Sequence, residues 1–502
     1  MNYTCHNKKR NNRQHLSVSF VVVLFALLIP GCSKFLDVPP KDNVPQSTLF
    51  KDEQGFKDAL LGVYLGMDKP GRGSSNLGLY TNKLSMGMVS TLAYQYDNAN
   101  VANAGSNGAF YNNVVYYNYL DGEVRREIDG IWGDVYNNIA DLNNILQEID
   151  GKKDVFTRDN YNRVKGEAIA LRALFHFDLA RMFGKSPVAG MQTNAIPYIT
   201  RFGVTSTRFI PLQSVLDSCI TDLTIAKDLL ASTDTSVILK ADDDLFSAYT
   251  QNHINYWAVQ GLLARVYLYK GDIENADKYA RAVIGSNKFP LITSNVAAKA
   301  NIIRDRTFAQ EHLFSVYSTN ITKYNTDLFD KTSGVPLRFS PAGRRALYTT
   351  GSGNGSDYRY TSWFDNSRLS VTDTIPSKFF QDNNLPYELQ NNMPVIRVSE
   401  MYYIAAECAN KKNDIAGGAS LLNKVRQARG LNALNPSGIS STDSLTTEIM
   451  REYQKEFIQE GQTWFYYKRL NKDLKQTIST PAMIPADVYV FPIPDKEKEY
   501  NY

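Results

Sequence analysis

The chain has 502 residues, 43% of them hydrophobic and 21% charged, which are the proportions of a folded protein and not of a disordered one. The net charge of +4 comes from the start of the chain. Lys8, Lys9, Arg10 and Arg13 lie within a first stretch of 31 residues that holds no acid, and removing those four from the 55 basic residues leaves 51, equal to the 51 acidic ones. A body without excess positive charge lacks the footprint that nucleic-acid binding requires, so that class is set aside.

The cationic start is followed at 18–29 by Val-Ser-Phe-Val-Val-Val-Leu-Phe-Ala-Leu-Leu-Ile. About twelve mostly apolar positions are too few for a membrane-spanning helix, which needs about 20, and fit the core of a secretory signal peptide. Cys5 leaves with such a leader. Residues 33–50 contain three prolines, which remove backbone donors and break helices, so an extended tether is expected there. A first helix is expected near Asp52. Apolar residues at helical spacing then predict helices over 125–149, 158–183 (stopping at Gly184), 211–231 (opening at Pro211), 252–270 (stopping at Gly271), 273–285, 395–411, 414–429 and 446–470.

Two of these regions look alike. Ala264, Tyr267, Asp272, Ile273, Ala276, Ala280 and Val283 recur 142 positions later as Ala406, Ala409, Asp414, Ile415, Gly418, Leu422 and Val425. Small residues where helices approach, with larger ones between, resemble tetratricopeptide helix pairs, which bury their apolar faces by stacking. Long polar stretches at 70–121 and 286–394 are expected to be irregular, with short strand pairs. The fold class is therefore mostly α: a helix-pair scaffold with long irregular loops and a few short strands on one face.

Of the two remaining body cysteines, Cys219 and Cys408, neither belongs to a disulfide framework, and both read as small buried hydrophobes. Trp132, Trp257 and Trp464 sit on helical stripes and read as core. His176 lies in an apolar helix and reads as a core or cap histidine. No zinc-protease, paired Cys-x-x-Cys, nucleophile-elbow or phosphate-loop motif is present in the sequence. The glycines at 351–355 read as a flexible loop. Asp242, Asp243 and Asp244 could touch a hard cation such as calcium, or form a solvated acidic turn. Glu400, Glu407, Glu456 and Glu460 are the carboxylates a glycosidase reading would use, against packing roles in helices.

Six pieces, in order, carry a family resemblance: Cys-Ser-Lys-Phe-Leu-Asp-Val at 32–38; the helix Gly166 to Gly184; Leu-Leu-Ala-Arg-Val-Tyr-Leu-Tyr-Lys-Gly-Asp at 262–272; Ile396 to Tyr402 with Ala406-Glu407; Arg451 to Phe457 leading to Glu460-Gly461-Gln462-Thr463-Trp464-Phe465; and Phe491-Pro492-Ile493-Pro494. Together the sequence resembles the SusD/RagB family of outer-membrane nutrient-binding lipoproteins. Leu28-Ile29-Pro30-Gly31-Cys32 resembles a bacterial lipobox, although Pro30 departs from the usual small or polar residue; cleavage before Cys32 would leave it to carry the lipid. Expected boundaries are a signal peptide at 1–31, a lipidated tether at 32–50 and a single domain at 51–502 with halves 51–250 and 251–502.

The resemblance implies a tetratricopeptide-like α fold and a lipid-anchored outer-membrane protein facing the cell exterior. It implies a SusC-like TonB-dependent transporter as partner, an oligosaccharide or polysaccharide ligand, no cofactor and no catalysis. Peptide or protein-fragment binding stays open, as more remotely does a helical glycoside hydrolase. A sugar has an apolar ring face and a rim of hydroxyls, so its site should offer an aromatic platform beside polar side chains. The tyrosines interleaved with amides at 86–120 fit that need, and Tyr94, Tyr96, Asn98, Tyr116 and Tyr117 are expected contacts. Tyr324, Tyr358 and Tyr360 form a second candidate cluster, and Trp363, after Asp357-Tyr358-Arg359, is a separate candidate contact with structural packing as its alternative.

Overall fold

Asp52 starts the first long helix: its carboxylate accepts from the Gly55 amide at 3.0 Å, capping α1 (Glu53–Gly66). The computed structural model describes residues 46–69, 77–96, 106–241, 246–300, 303–330, 337–348, 356–365, 375–435, 438–472, 474 and 487–501. The chain divides after Leu49. Of the first unit only one helical turn, Gln46–Leu49, is described, and the elements below belong to the second, Phe50–Tyr502. Cys32, Asn98, the aspartates at 242–244 and the glycines at 351–355 lie outside the described residues.

The stretch 70–121, expected to be irregular, is largely helical where it is described. A π-helix at Leu79–Met86 leads into α2 (Met88–Leu92), and α3 (Ser106–Val115) follows. The π-helix is buried throughout, and it buries Lys83, whose ammonium lies 3.3 Å from Glu127 and 3.5 Å from Asp134. Glycine, asparagine and serine in this segment disguise a helix that packing, not propensity, holds in place.

The scaffold then builds in chain order. The helix α4 (Gly122–Ile149) is capped by Asp121, and α5 (Asn160–Phe183), buried along almost its whole length, ends at Gly184. A small antiparallel pair, β1 (Asn194–Pro197) and β2 (Phe209–Pro211), precedes α6 (Leu212–Ala231). Next come α7 (Tyr256–Lys270) and α8 (Ile273–Gly285). Each of α4 to α8 packs on the next, and α1 covers α4. The chain then leaves the stack for more than a hundred residues. This excursion carries β3 (His312–Tyr317), α9 (Ile321–Phe329), α10 (Pro341–Tyr348), α11 (Tyr358–Ser362), β4 (Phe364–Asp365), β5 (Ile375–Pro376) and β6 (Asn392–Arg397). The stack resumes where it stopped: α12 (Val398–Lys411) packs on α8, α13 (Ile415–Ala428) on α12, and α14 (Thr442–Glu456) on both. The chain closes with α15 (Gln462–Arg469) and α16 (Asp495–Asn501).

The structure corrects two expected helices. Residues 395–397 belong to β6, which pairs antiparallel with β3, Tyr317 opposite Asn392 and His312 opposite Arg397. The helix expected over 446–470 is two. Gln459 (φ 62°) and Gly461 (φ 72°) hold left-handed backbone between α14 and α15, and a Cβ on Gly461 would stand 2.0 Å from the Leu84 carbonyl, so the close approach to the π-helix fixes the break.

A buried charge network joins the excursion to the C-terminal helices. Glu456 accepts from Arg397 Nη1 at 2.5 Å, from Arg429 Nη2 at 2.6 Å and Nε at 3.0 Å, and from Arg359 Nη1 at 3.0 Å. Arg429 also forks onto Glu311 at 2.7 and 2.6 Å. Glu452 accepts from Arg359 and Arg426, each at 2.7 Å. Burial pushes the Glu452 carboxyl up, but Arg359, Lys455 and Arg426 outweigh it and hold the group at about 2. Cys219 and Cys408 are free and buried, as expected.

Candidate binding site

A depression of about 210 Å³ opens where the turn after α2 meets α10 and the α14–α15 junction. Ala93, Tyr94, Gln95 and Tyr96 form one side, Phe339, Gly343 and Leu347 a second, and Gln454, Ile458, Thr463 and Tyr467 the third. Tyr94 is half-buried and holds left-handed backbone, φ 54°, which is uncommon for a bulky residue and marks a position the surroundings over-determine. Its hydroxyl donates to the Val115 carbonyl at 3.2 Å. Gln95 is fixed from three sides: Nε2 donates to Phe457 O at 3.1 Å and to Thr463 Oγ1 at 2.8 Å, and Oε1 accepts from the Gln459 amide at 3.0 Å. Gln454 Nε2 donates to Tyr467 OH at 2.5 Å, which leaves Gln454 Oε1 without a partner among the described residues. The depression thus offers a half-exposed aromatic ring, an apolar wall and amide groups already held in place, the mixture that orients a polar ligand with apolar faces.

The expected contact residues divide. Tyr94 and Tyr96 are brought together, but the Tyr96 ring packs between Phe329 and Phe339 and its hydroxyl donates to Met86 O at 2.5 Å. It shapes the wall more than it offers a face. Tyr117 lies wholly buried behind Tyr94, its hydroxyl on Leu92 O at 3.0 Å, so it supports the site from within. Tyr116 is half-buried and outside the lining. Tyr324 is buried in α9, where burial and the nearby Asp68 push its hydroxyl up to about 12. The Tyr358 ring lies against Gly430.

Trp363 is a correction. It has no exposed surface; Nε1 donates to Arg306 O at 2.7 Å, and Lys378 Nζ sits 3.8 Å above the ring. That tryptophan is core, not platform. Trp132 and Trp464 are core as expected, whereas Trp257 is only half-buried, with Nε1 on Thr235 O. Phe339, Leu347, Gln454, Thr463 and Tyr467 were not singled out from the sequence. Gln454 and Thr463 lie within the C-terminal signature, where the sequence draws attention to the glutamates and not to these two, and Tyr467 lies two residues beyond it.

The remaining polar groups are engaged elsewhere. His176 is a core histidine: Nδ1 donates to Arg172 O at 2.8 Å and Nε2 accepts from the Ile199 amide at 2.9 Å, so the ring is held neutral, and burial pushes it down to about 3. Glu400 is gripped by Arg265 at 2.7 and 2.6 Å, Glu407 by Arg469 at 2.8 and 2.6 Å, and Glu460 by Arg397 and Lys378. With Glu456 in the charge network, all four carboxylates sit in ion pairs with side chains of neighbouring segments. Among the described residues no group of His, Cys, Asp and Glu side chains is placed to hold a metal ion, and no helix is long and apolar enough to cross a membrane.

Comparison with known proteins gives two family models in tandem. One described as the SusD family matches residues 316–501, and one described as starch-binding and associating with the outer membrane matches residues 34–268. SusD-like protein P38 of Formosa agariphila is 21% identical, over 91% of this chain and 92% of its own, and a SusD-like protein of Bacteroides ovatus is 21% identical over 89% and 81%. Among solved structures, a SusD-like carbohydrate-binding protein from Bacteroides vulgatus superposes with a TM-score of 0.67 at 19% identity, covering 90% of this chain and 96% of that one. A laminarin-binding SusD-like protein does so with 0.63 at 21%, covering 90% and 98%. With both halves matched and the helix-pair fold shared, the chain belongs to the SusD/RagB-like family.

Proposed function

We propose that this protein captures a glycan at the outer membrane, in the depression lined by Tyr94, Gln95 and Gln454, and hands it unaltered to a SusC-like TonB-dependent transporter. The observation that carries the reading is the Tyr94 ring, held half-exposed in strained backbone beside locked amides. A ring face and fixed amide groups suit a sugar, whose faces are apolar and whose rim is hydroxyl. The neighbour that binds laminarin supports the ligand class. The pairing of Glu400, Glu407, Glu456 and Glu460 with buried cations supports binding without turnover, because a glycosidase needs two carboxyls open to the same bond.

Anchoring follows from the lipobox at Cys32. Acyl chains there would hold the protein on the membrane, with the exterior face as the side where nutrient arrives. The stacked helices α4 to α8, α12 and α13 form the natural dock for the transporter, leaving the excursion between α8 and α12 to meet ligand.

The test is a binding panel of soluble glycans with product analysis. At least one glycan should bind to the full chain and be recovered intact, with affinity reduced about tenfold by Tyr94→Ala and by Leu347→Trp, which fills the depression. Release of new reducing ends, or binding untouched by both variants, would contradict the proposal.

A further inference from the structure

A second depression, sharing no residue with the first, lies where α1, β3 and the segment before β6 converge. Its volume is about 250 Å³. Three tyrosines from distant parts of the chain meet there. Tyr387 is 61% exposed, the most exposed aromatic side chain among the large hydrophobics described. Tyr249 stands edge-on to it with ring centres 6.3 Å apart, and the Tyr317 and Tyr387 hydroxyls are 3.4 Å apart. Tyr249 holds left-handed backbone (φ 50°), as Tyr94 does in the first depression, and so does Asn391 (φ 62°), whose Nδ2 donates to Tyr317 OH at 3.2 Å. Leu61 and Leu65 of α1 supply an apolar wall.

The polar groups around these rings are mostly acceptors. His253 Nδ1 faces the Glu167 carboxylate at 2.9 Å. A carboxylate only accepts, so Nδ1 carries the hydrogen, and in the neutral ring Nε2 is an acceptor. Nε2 has no partner among the described residues, nor do the Glu388 carboxylate and Gln390 Oε1, whose own Nε2 is taken by Leu385 O at 2.5 Å. No lysine or arginine among the described residues lines the depression.

We propose that this depression is a second carbohydrate site, built for an uncharged sugar unit. An exposed tyrosine face takes the apolar side of a pyranose ring, and free acceptors take the hydroxyl hydrogens that such a ring presents. The Glu388 carboxylate, with no cation beside it among the described residues, sets the charge preference: a uronate or sulfate would meet like charge without compensation, which is how a site rejects a near relative of its ligand. Two separate footholds let one polymer strand engage both, so that the second contact forms at high effective concentration and avidity exceeds either affinity alone.

The experiment titrates the full chain with laminari-, malto-, xylo- and manno-oligosaccharides, with oligogalacturonate as the anionic counterpart and a leucine-rich peptide as the apolar one. Tyr387→Ala removes an exposed ring and Glu388→Gln removes only the charge, so both variants should melt like the parent chain. At least one neutral oligosaccharide should lose about tenfold in affinity with Tyr387→Ala, oligogalacturonate should bind no better than buffer controls, and Glu388→Gln should weaken its exclusion. Tyr94→Ala reports on the other depression independently, so either site can fail alone. The proposal is overturned if no neutral probe binds, if all bind Tyr387→Ala like the parent chain, or if the only binding lost is that of oligogalacturonate or of the peptide.

Discussion

Tyr94 and Tyr117 meet edge to face, ring centres 5.9 Å apart at 84°, and both hold left-handed backbone, φ 54° and 56°. Each hydroxyl closes onto the other's flank of the chain, Tyr94 onto Val115 O and Tyr117 onto Leu92 O. The pair therefore pins the turn after α2 to the end of α3 and sets the angle at which Tyr94 faces the depression. Tyr117→Phe keeps the ring contact and orphans the Leu92 carbonyl in a buried site. It should lower unfolding free energy by about 1–2 kcal/mol, read from denaturant midpoints. An unchanged midpoint would show that the hydroxyl bond carries no weight.

The buried network around Glu456 makes a stronger prediction. Three guanidiniums converge on that carboxylate, and removing its charge takes from each of them one of its buried carboxylate partners in a site closed to water. Breaking a buried pair from one side costs about 3–5 kcal/mol, so Glu456→Gln should lower stability by that order, whereas an exposed pair such as Arg281 with Asp277 should contribute less than about 1 kcal/mol. Equal effects from the two sites would refute the ranking.

Two buried histidines set the acid side of the stability profile. Burial pushes both His176 and His312 down to about 3. Below the ordinary value of about 6.5 the unfolded chain takes up protons at these positions and the folded chain does not, so folding is favoured most above that pH. Stability should fall as pH drops from about 6.5 toward 3, by up to about 1.4 kcal/mol per pH unit for each ring. Glu452, held at about 2, adds to the loss only below about 4.5. Urea midpoints between about pH 7.5 and 5 measure the slope; a flat profile would contradict it.

Much of the scaffold was legible because its helices obey one period. The repeat is visible even in its turns: Gly271 and Asn413, 142 positions apart, both hold left-handed backbone (φ 91° and 62°), and Asp272 and Asp414 each cap the helix that follows by accepting from the amide three residues on. Glycine and asparagine are the residues that tolerate this conformation, so the chemistry of the turn is written in the sequence. The π-helix at Leu79–Met86 was not, because its polar composition reads as loop and its stability comes from long-range burial of groups such as Lys83. The sites were legible only in part. Tyr94 announces itself among neighbouring amides, but its partners Phe339 and Gln454 lie hundreds of residues away. Trp363 looks like a sugar platform in one dimension and is core in three. Tyr249, Tyr317 and Tyr387 carry no local signal of their convergence.

The proposed membrane anchor rests on one residue. Cys32→Ser should move the protein from the envelope fraction to the soluble exported fraction, with loss of the acyl mass from its N-terminal peptide in mass spectrometry. Retention in the envelope without acyl mass on the parent protein would remove the lipid from the account.

The central claim is that glycan is gripped and left whole at the tyrosine-and-amide depression. A crystal of the full chain grown with an oligosaccharide that it binds in solution tests that directly. The account predicts an uncleaved sugar with one ring against Tyr94 and a hydroxyl within hydrogen-bonding distance of Gln454 Oε1. A cleaved sugar, or one that leaves Tyr94 untouched, would contradict it.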